Sequence, residues 1–266
     1  YLGHVTFSTE LKDALPDSEI ILVTVSDNAI NEVCSMLSTL PVQRRILLHT
    51  SGIKSYHEFD TLQEHDAEIG SLHPLQSFIH VEEAIQNLPG TYYAVEGTQA
   101  AIDAAKKLVN DLEGHSMSMN ADLKSLYHAG ACISANYLVA LLRLGELFFK
   151  KSGVESDQII PAFSALLKGI LRNIQSRGTL ESITGPIARG DSETLKMQLN
   201  SIRTNFPQHL PIFRALSLLC VNAVFEKANT NPDLIDEIMW LLEQNLMEDS
   251  ISGENEEKAP QSNRKI

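Results

Sequence analysis

Three stretches of this chain end in small polar residues of the kind that contact ligands: Val25-Ser26-Asp27, Thr50-Ser51-Gly52 and His73-Pro74-Leu75-Gln76-Ser77. Each follows a run rich in apolar, β-branched residues. Hydroxyls and backbone N–H groups beyond strand ends can hold phosphates and riboses. Gly52 lets a ligand approach the backbone closely. Any one of these stretches is also what a turn or a helix cap requires. Three at successive strand ends point to a cofactor crevice formed by Val25, Ser26, Asp27, Thr50, Ser51 and Gly52.

A second constellation follows Asn120. Lys124, His128, Ser134 and Asn136 lie in one uninterrupted helical stretch. At 100° per residue, His128 falls about 40° from Lys124 and Asn136 about 120° from it, so one arc can present an ammonium, an imidazole and an amide. Ala129, Gly130, Ala131 and Ala135 leave room beside them. The plainer reading is a solvated helix start with Lys124 and His128 in water. Asn136 argues against it, because it lies in an apolar stretch where an amide needs partners. A third segment, Thr184-Gly185-Pro186-Ile187-Ala188-Arg189-Gly190-Asp191, sets a guanidinium beside a helix start. That placement suits a carboxylate or phosphate, or an Arg–Asp turn closed on itself.

Strands must position the first group. Glu19–Val25, Arg45–His49, Ala67–Leu72, Thr91–Val95 and His115–Met119 read as strands. Helices 29–40 and 99–112 alternate with them, which means a mostly parallel α/β sheet. After Met119 the texture changes. A helix of about 31 residues, Ala121 to Lys151, spans roughly 45 Å. Further helices are capped near Ser156 and Asp191, opened by Pro211, and capped by Asn231-Pro232-Asp233. The expected architecture is a Rossmann-type parallel sheet over residues 1–118, an all-helical domain over 119–247 for substrate and dimerisation, and a disordered polar tail over 248–266.

With 266 residues the chain has room for two domains, and 43% hydrophobic with 21% charged residues describes an ordinary soluble protein. A formal net charge of -13 argues against nucleic acid as a partner. Cys34, Cys132 and Cys220 lie too far apart for a metal or redox motif, so no metal site is expected and a reducing cytoplasm is the natural compartment. The most apolar stretch, Ile133 to Phe149, holds Asn136, Arg143 and Glu146, which suits a buried helix and not a membrane span.

Taken in order, the motifs carry a resemblance. His49-Thr50-Ser51-Gly52, His73-Pro74-Leu75-Gln76-Ser77-Phe78, Lys124-x-x-Tyr127-His128-Ala129, Ser134-Ala135-Asn136-Tyr137-Leu138 and Thr184-Gly185-Pro186-x-x-Arg189-Gly190-Asp191 resemble the Rossmann-like oxidoreductases whose C-terminal half is a domain of unknown function. That family belongs to the 6-phosphogluconate-dehydrogenase-like superfamily, with ketopantoate and pyrroline-5-carboxylate reductases among its members. The resemblance covers about residues 18 to 225. It implies a glycine-rich strand and turn ahead of these motifs. The chain does not carry that fingerprint, and the expectation is that it lies before Tyr1.

The resemblance also implies a catalytic lysine near the start of the first long helix after the Rossmann domain, the place Lys124 occupies. On this reading NADP, with NAD as the alternative, lies across the strand ends. A small 2-oxo acid, with 2-dehydropantoate as the first choice, sits between it and the helix. Lys124 protonates the developing alkoxide, and His128 is the competing acid. His73, Ser134 and Asn136 orient substrate, Arg189 holds a carboxylate, and two copies pair through the helical domain. Two further readings stand beside it: an imine reductase of the pyrroline-5-carboxylate type, and a non-catalytic nucleotide-binding module.

Overall fold

A computed structural model describes residues 5, 7–15, 18–227 and 236–243. By contacts the chain divides into two compact units, one ending at Phe149 and one beginning at Lys150. The expected tail 248–266 and the cap Asn231-Pro232-Asp233 lie outside the described residues.

The first unit is a five-stranded sheet in sequence order: β1 Ile20–Val23, β2 Ile46–His49, β3 Glu68–Pro74, β4 Tyr92–Gly97 and β5 His115–Ser118. β1, β2 and β3 run parallel, and β4 and β5 run parallel to each other. The β3–β4 pair is antiparallel, with Ser71 opposite Glu96 and His73 opposite Ala94. The sheet is mostly parallel, as expected, with this one antiparallel pair. Between β3 and β4 the described helix is only Val81–Gln86. The reversal starts β4 at the end where β3 stops, so the connection stays on the side of the sheet that carries His73 and Pro74.

Both faces of the sheet are covered, as parallel strands demand. Leu47 and Ile69 pack on one face with Ile30, Leu37, Phe59 and Leu62. Leu48, Leu72, Tyr93 and Val95 pack on the other against Ala101, Ala105 and Val109 of the helix Gln99–Asp111. Because side chains alternate along a strand, His49 shares the face of Leu47, and Ser71 and His73 share that of Ile69. That face is apolar toward the start of the strands and polar toward their carboxyl ends.

The change of texture at Met119 does not coincide with the division by contacts. Asn120 caps as expected, its side chain accepting from Asp122 N–H at 3.0 Å. A 31-residue helical run then extends from Ala121 to Lys151. It comprises a first tight turn, an α-helix over Lys124–Cys132, a π-helical stretch over Ile133–Tyr137 and an α-helix over Leu138–Lys151. Its start is tied to the sheet through Lys124, which keeps residues 121–149 with the first unit.

The second unit is helical. It contains Ser156–Glu181 with a break at Gly178 (φ 81°), Ser192–Asn205 and Leu210–Phe225. Ile159, Leu195, Leu199, Leu210, Val221 and Val224 are buried. Among the described residues no strand follows Ser118.

Candidate functional site

The polar half of the sheet face is organised around one buried cation. Lys124 is 1% exposed. Its Nζ donates to Glu96 Oε1 at 2.7 Å and to the Ser71 hydroxyl. Ser71 and Glu96 are cross-strand partners, so their side chains share one face and meet the ammonium together. Glu96 Oε1 also accepts from Tyr56 N–H at 3.1 Å, while Glu96 Oε2 is buried with no hydrogen-bond partner among the described residues. Burial pushes the Lys124 ammonium below the usual lysine range, and the hydrogen bond and charge of Glu96 oppose that shift.

Two histidines beside this cation are held neutral. His49 is fully buried; its Nε2 lies 3.0 Å from Ser55 O, and its Nδ1 accepts from Ser51 N–H at 3.3 Å. Both contacts are satisfied by one neutral tautomer, with the proton on Nε2. Burial first, and then the Lys124 charge, lowers the His49 pKa to about 4. His73 is lowered to about 4 by burial, Lys124 and His128, in that order. Its Nδ1 lies 2.8 Å from the Tyr127 hydroxyl. Burial raises the Tyr127 pKa, so the phenol keeps its proton at neutral pH.

Above these groups opens a cleft of about 700 Å³, lined in part by His73, Tyr127, His128, Cys132, Ser134 and Asn136. Gly52 makes the close approach of its walls achievable. A Cβ on Gly52 would lie 2.6 Å from His128 Cδ2 and 2.7 Å from His73 Nε2. The π-helical stretch carries Ser134 and Asn136, both exposed. Such stretches leave a helix locally widened and occur often at functional sites. Asn136 therefore answers to the cleft and not, as its apolar neighbours suggested, to a buried partner.

The structure gathers His73, Ser134 and Asn136 from the expected substrate set into one cleft with His128, the expected competing acid. Lys124 is separated from them: it does not line the cleft, and its hydrogen bonds go to the sheet. Val25, Ser26 and Asp27 are exposed just beyond β1. Thr50 is half-buried, and Ser51 and Gly52 are buried beyond β2. The Ser51 hydroxyl is engaged in its own loop, accepting from Ile53 and Lys54 N–H at 3.3 and 3.0 Å. Arg189 belongs to the second unit, exposed and 3.8 Å from Asp191.

Sequence reading gave no role to Tyr127, Ser71 or Glu96. Tyr127 had a signal, its place one residue before His128. Glu96, a carboxylate ending the apolar run Tyr93-Ala94-Val95, signalled a buried partner. Among the described residues no group of three or more His, Cys, Asp or Glu side chains could hold a metal ion.

Comparison with known proteins agrees with this architecture. Residues 91–219 match the family model described as a domain of unknown function, DUF2520. No curated protein matches the chain. Protein TM1727 from Thermotoga maritima is similar in structure, with a TM-score of 0.67 and 24% identity over 81% of this chain and 82% of that one. BF3122 from Bacteroides fragilis, a proposed NADP oxidoreductase, has a TM-score of 0.61 and 17% identity over 80% and 79% of the two chains. A 1-pyrroline-5-carboxylate reductase from Streptococcus pyogenes has a TM-score of 0.55 and 13% identity over 82% and 79%. The chain has the Rossmann-like fold with a C-terminal helical region that these structures share.

Proposed function

We propose that this chain is an NADP-dependent reductase of a small molecule, and that the bond it reduces is C=N. One observation carries the choice of bond: among the described residues lining the cleft, none is Lys, Arg, Asp or Glu. Reduction of a 2-oxo acid calls for a proton donor to the developing alkoxide and a cation for the carboxylate. Lys124, the expected donor, is buried in an ion pair with Glu96. An imine accepts its proton before reduction, so it needs less from a general acid. The likeness to a 1-pyrroline-5-carboxylate reductase supports the choice of bond alone, since that named substrate is a cyclic imine that itself carries a carboxylate.

The strand-end loops fit one end of a dinucleotide, with Ser26 and Asp27 at the surface and Thr50 beside them. NADPH supplies the hydride when bound, and NAD is the alternative cofactor. The protein's own residues bind and orient. Tyr127, its hydroxyl paired with His73, accepts from the N–H of the protonated substrate nitrogen, and Asn136 and Ser134 hydrogen-bond the substrate's polar groups. Lys124 positions this helix face over β3 without touching substrate.

The same reading places the protein in a reducing cytoplasm and pairs two copies through their helices. Leu126, Ile133, Val139, Leu166 and Leu219 are each more than half exposed, and a second copy would cover such residues. By length and composition alone the helices Ala121–Lys151 and Pro207–Phe225 could also cross a membrane. The Arg143–Glu146 pair in the first favours the dimer. A monomeric mass by light scattering would remove the dimer from the proposal.

NADPH oxidation by the full chain, assayed at neutral pH with unsubstituted cyclic imines and with 2-oxo acids including 2-dehydropantoate, tests the function. Faster turnover of the imines is expected. Faster turnover of a 2-oxo acid overturns the choice of bond and returns the carbonyl reading. Nucleotide binding by fluorescence with no turnover of either class identifies a non-catalytic nucleotide-binding module.

A further inference from the structure

The cleft contains a thiol that the proposed reduction does not use. Cys132 lies four residues after His128, one helical turn along the same face, and its Sγ is 3.8 Å from His128 Nδ1. Both side chains line the 700 Å³ cleft, with Gly130 and Ala131 beside them. Cys132 is half-buried and lines the cleft. The other two thiols lack this combination. Cys34 is 6% exposed in the core, and burial, with the charges of Glu58 and Asp60, pushes its thiol up. Cys220 borders a narrower cleft of about 240 Å³ in the second unit, where no histidine is among the lining residues. Burial pushes that thiol up too.

We propose that Cys132 is a site of covalent S-alkylation, with His128 as its base, and that it captures α,β-unsaturated carbonyl compounds entering the cleft. His128 Nδ1 takes the thiol proton as sulfur attacks the β-carbon. One S–C bond forms, and the C=C π electrons move to the α-carbon as an enolate. The imidazolium returns the proton to the α-carbon. The product is a thioether, no group leaves, and nothing is oxidised or reduced. The cleft suits this class of electrophile. Its walls carry no fixed charge to repel an enone, and the Asn136 amide and Tyr127 hydroxyl can hydrogen-bond the enone oxygen, which gains charge in the addition. Soft, uncharged acceptors also match the sulfur nucleophile, whose reactivity depends on access and on a nearby proton acceptor. This inference stands independently of which bond the protein reduces.

The test uses the full chain with methyl vinyl ketone at low molar excess, and peptide mass spectrometry to rank the three thiols over time. Cys132 should be alkylated well before Cys34 and Cys220, and Cys132→Ser should abolish the early adduct. His128→Asn, with its fold checked by circular dichroism, should slow the adduct by about tenfold. That is less than general base assistance gives a hydroxyl, because a thiol is already acidic. Modification of Cys34 or Cys220 as fast as Cys132 overturns the proposal. So does a folded His128→Asn chain that alkylates Cys132 at the unchanged rate. The ranking in the unsubstituted chain decides alone if His128→Asn does not fold.

Discussion

One helix contains two opposite environments. At its start, Lys124 is buried and ion-paired in a sheet face that holds Ser71 and Glu96. Nine residues later, in the π-helical stretch, Ile133, Ser134, Asn136 and Tyr137 are all exposed. Residue type alone suggests the reverse, a charge in water and an apolar run inside. The difference teaches that the sheet decides what the helix buries. Opposed Ser71 and Glu96 create a polar hole that only a donor can fill, and the lysine fills it. The next turn then passes over Gly52 and carries Tyr127 and His128 to the cleft edge.

If the buried pair is what fixes that helix, cutting it should have the largest effect. Lys124→Ala leaves Glu96 buried, charged and without its partner, and should cost about 3–5 kcal/mol of stability. Lys124→Met combined with Glu96→Leu removes both charges and should recover most of that loss. Urea unfolding at neutral pH measures both. A single-variant loss below about 1 kcal/mol would mean the ammonium reaches water in solution, which would restore it as a candidate proton donor.

Acid should act on the same region with the next largest effect. His49 and His73 have folded pKa values of about 4, below the ordinary 6.5 of an unfolded chain. Above 6.5 both states are neutral and the stability is complete. Between 6.5 and 4 the unfolded chain binds protons that the folded chain refuses, so stability falls as pH falls. Below 4 these two groups cost nothing further. Each proton is worth about 1.4 kcal/mol per pH unit, which puts the buried His49 at roughly 3 kcal/mol across the window. The part-exposed His73 should contribute less, because solvent screens it. Protonated His49 also loses the acceptor for Ser51 N–H, so the loop at the cleft should loosen first. Denaturation midpoints that stay level from pH 7 to 5 would show both imidazoles to be hydrated.

Gly52 joins the two environments. Its missing Cβ is the space into which His128 and His73 fit. Gly52→Ala should cost about 1–3 kcal/mol through overpacking and should widen the His73–Tyr127 contact. Turnover should fall more than nucleotide affinity, since the displaced imidazoles border the cleft while Ser26 and Asp27 beyond β1 keep their places. An unchanged rate would show that the imidazoles can shift without consequence.

The sheet was legible because continuous β-branched runs followed by polar ends have few other uses. All five strands fall where the runs lie, within a few residues. The reversal at β4 was not legible, because strand direction depends on where the connection runs and not on strand composition. That His73, His128, Ser134 and Asn136 come together at one cleft was readable from their places at a strand end and on one helix. Lys124 was placed on the right helix and in the wrong environment. Its partners lie 28 and 53 residues away, and no local pattern announces a cross-strand Ser–Glu pair. Tyr127 was missed because a tyrosine on a helix is usually a packing residue, and only the 2.8 Å contact to His73 gives it a chemical role.

The smallest effect is expected in the second unit, where a charge stands in a distinctive loop. Arg189 follows Gly185 and Pro186 and precedes a helix, a setting that suits an anion site. Here, however, the side chain is 65% exposed and 3.8 Å from Asp191 Oδ2. Asp191 is already committed, accepting from Thr194 N–H at 3.0 Å and from the Thr194 hydroxyl at 2.8 Å. These bonds, the backbone one first, hold its carboxyl below the usual range, and Arg189 adds only a minor share. An exposed pair at that distance is worth about 0–1 kcal/mol, so Arg189→Gln should change stability by less than about 0.5 kcal/mol. Asp191→Ala removes the cap itself and should lower the unfolding temperature more than Arg189→Gln does. Thermal unfolding of both variants separates the roles. If Arg189→Gln costs as much as Asp191→Ala, the guanidinium is part of the cap. If it costs nothing in stability but weakens binding of a carboxylate-bearing substrate, Arg189 holds that carboxylate, and the case for an uncharged imine fails.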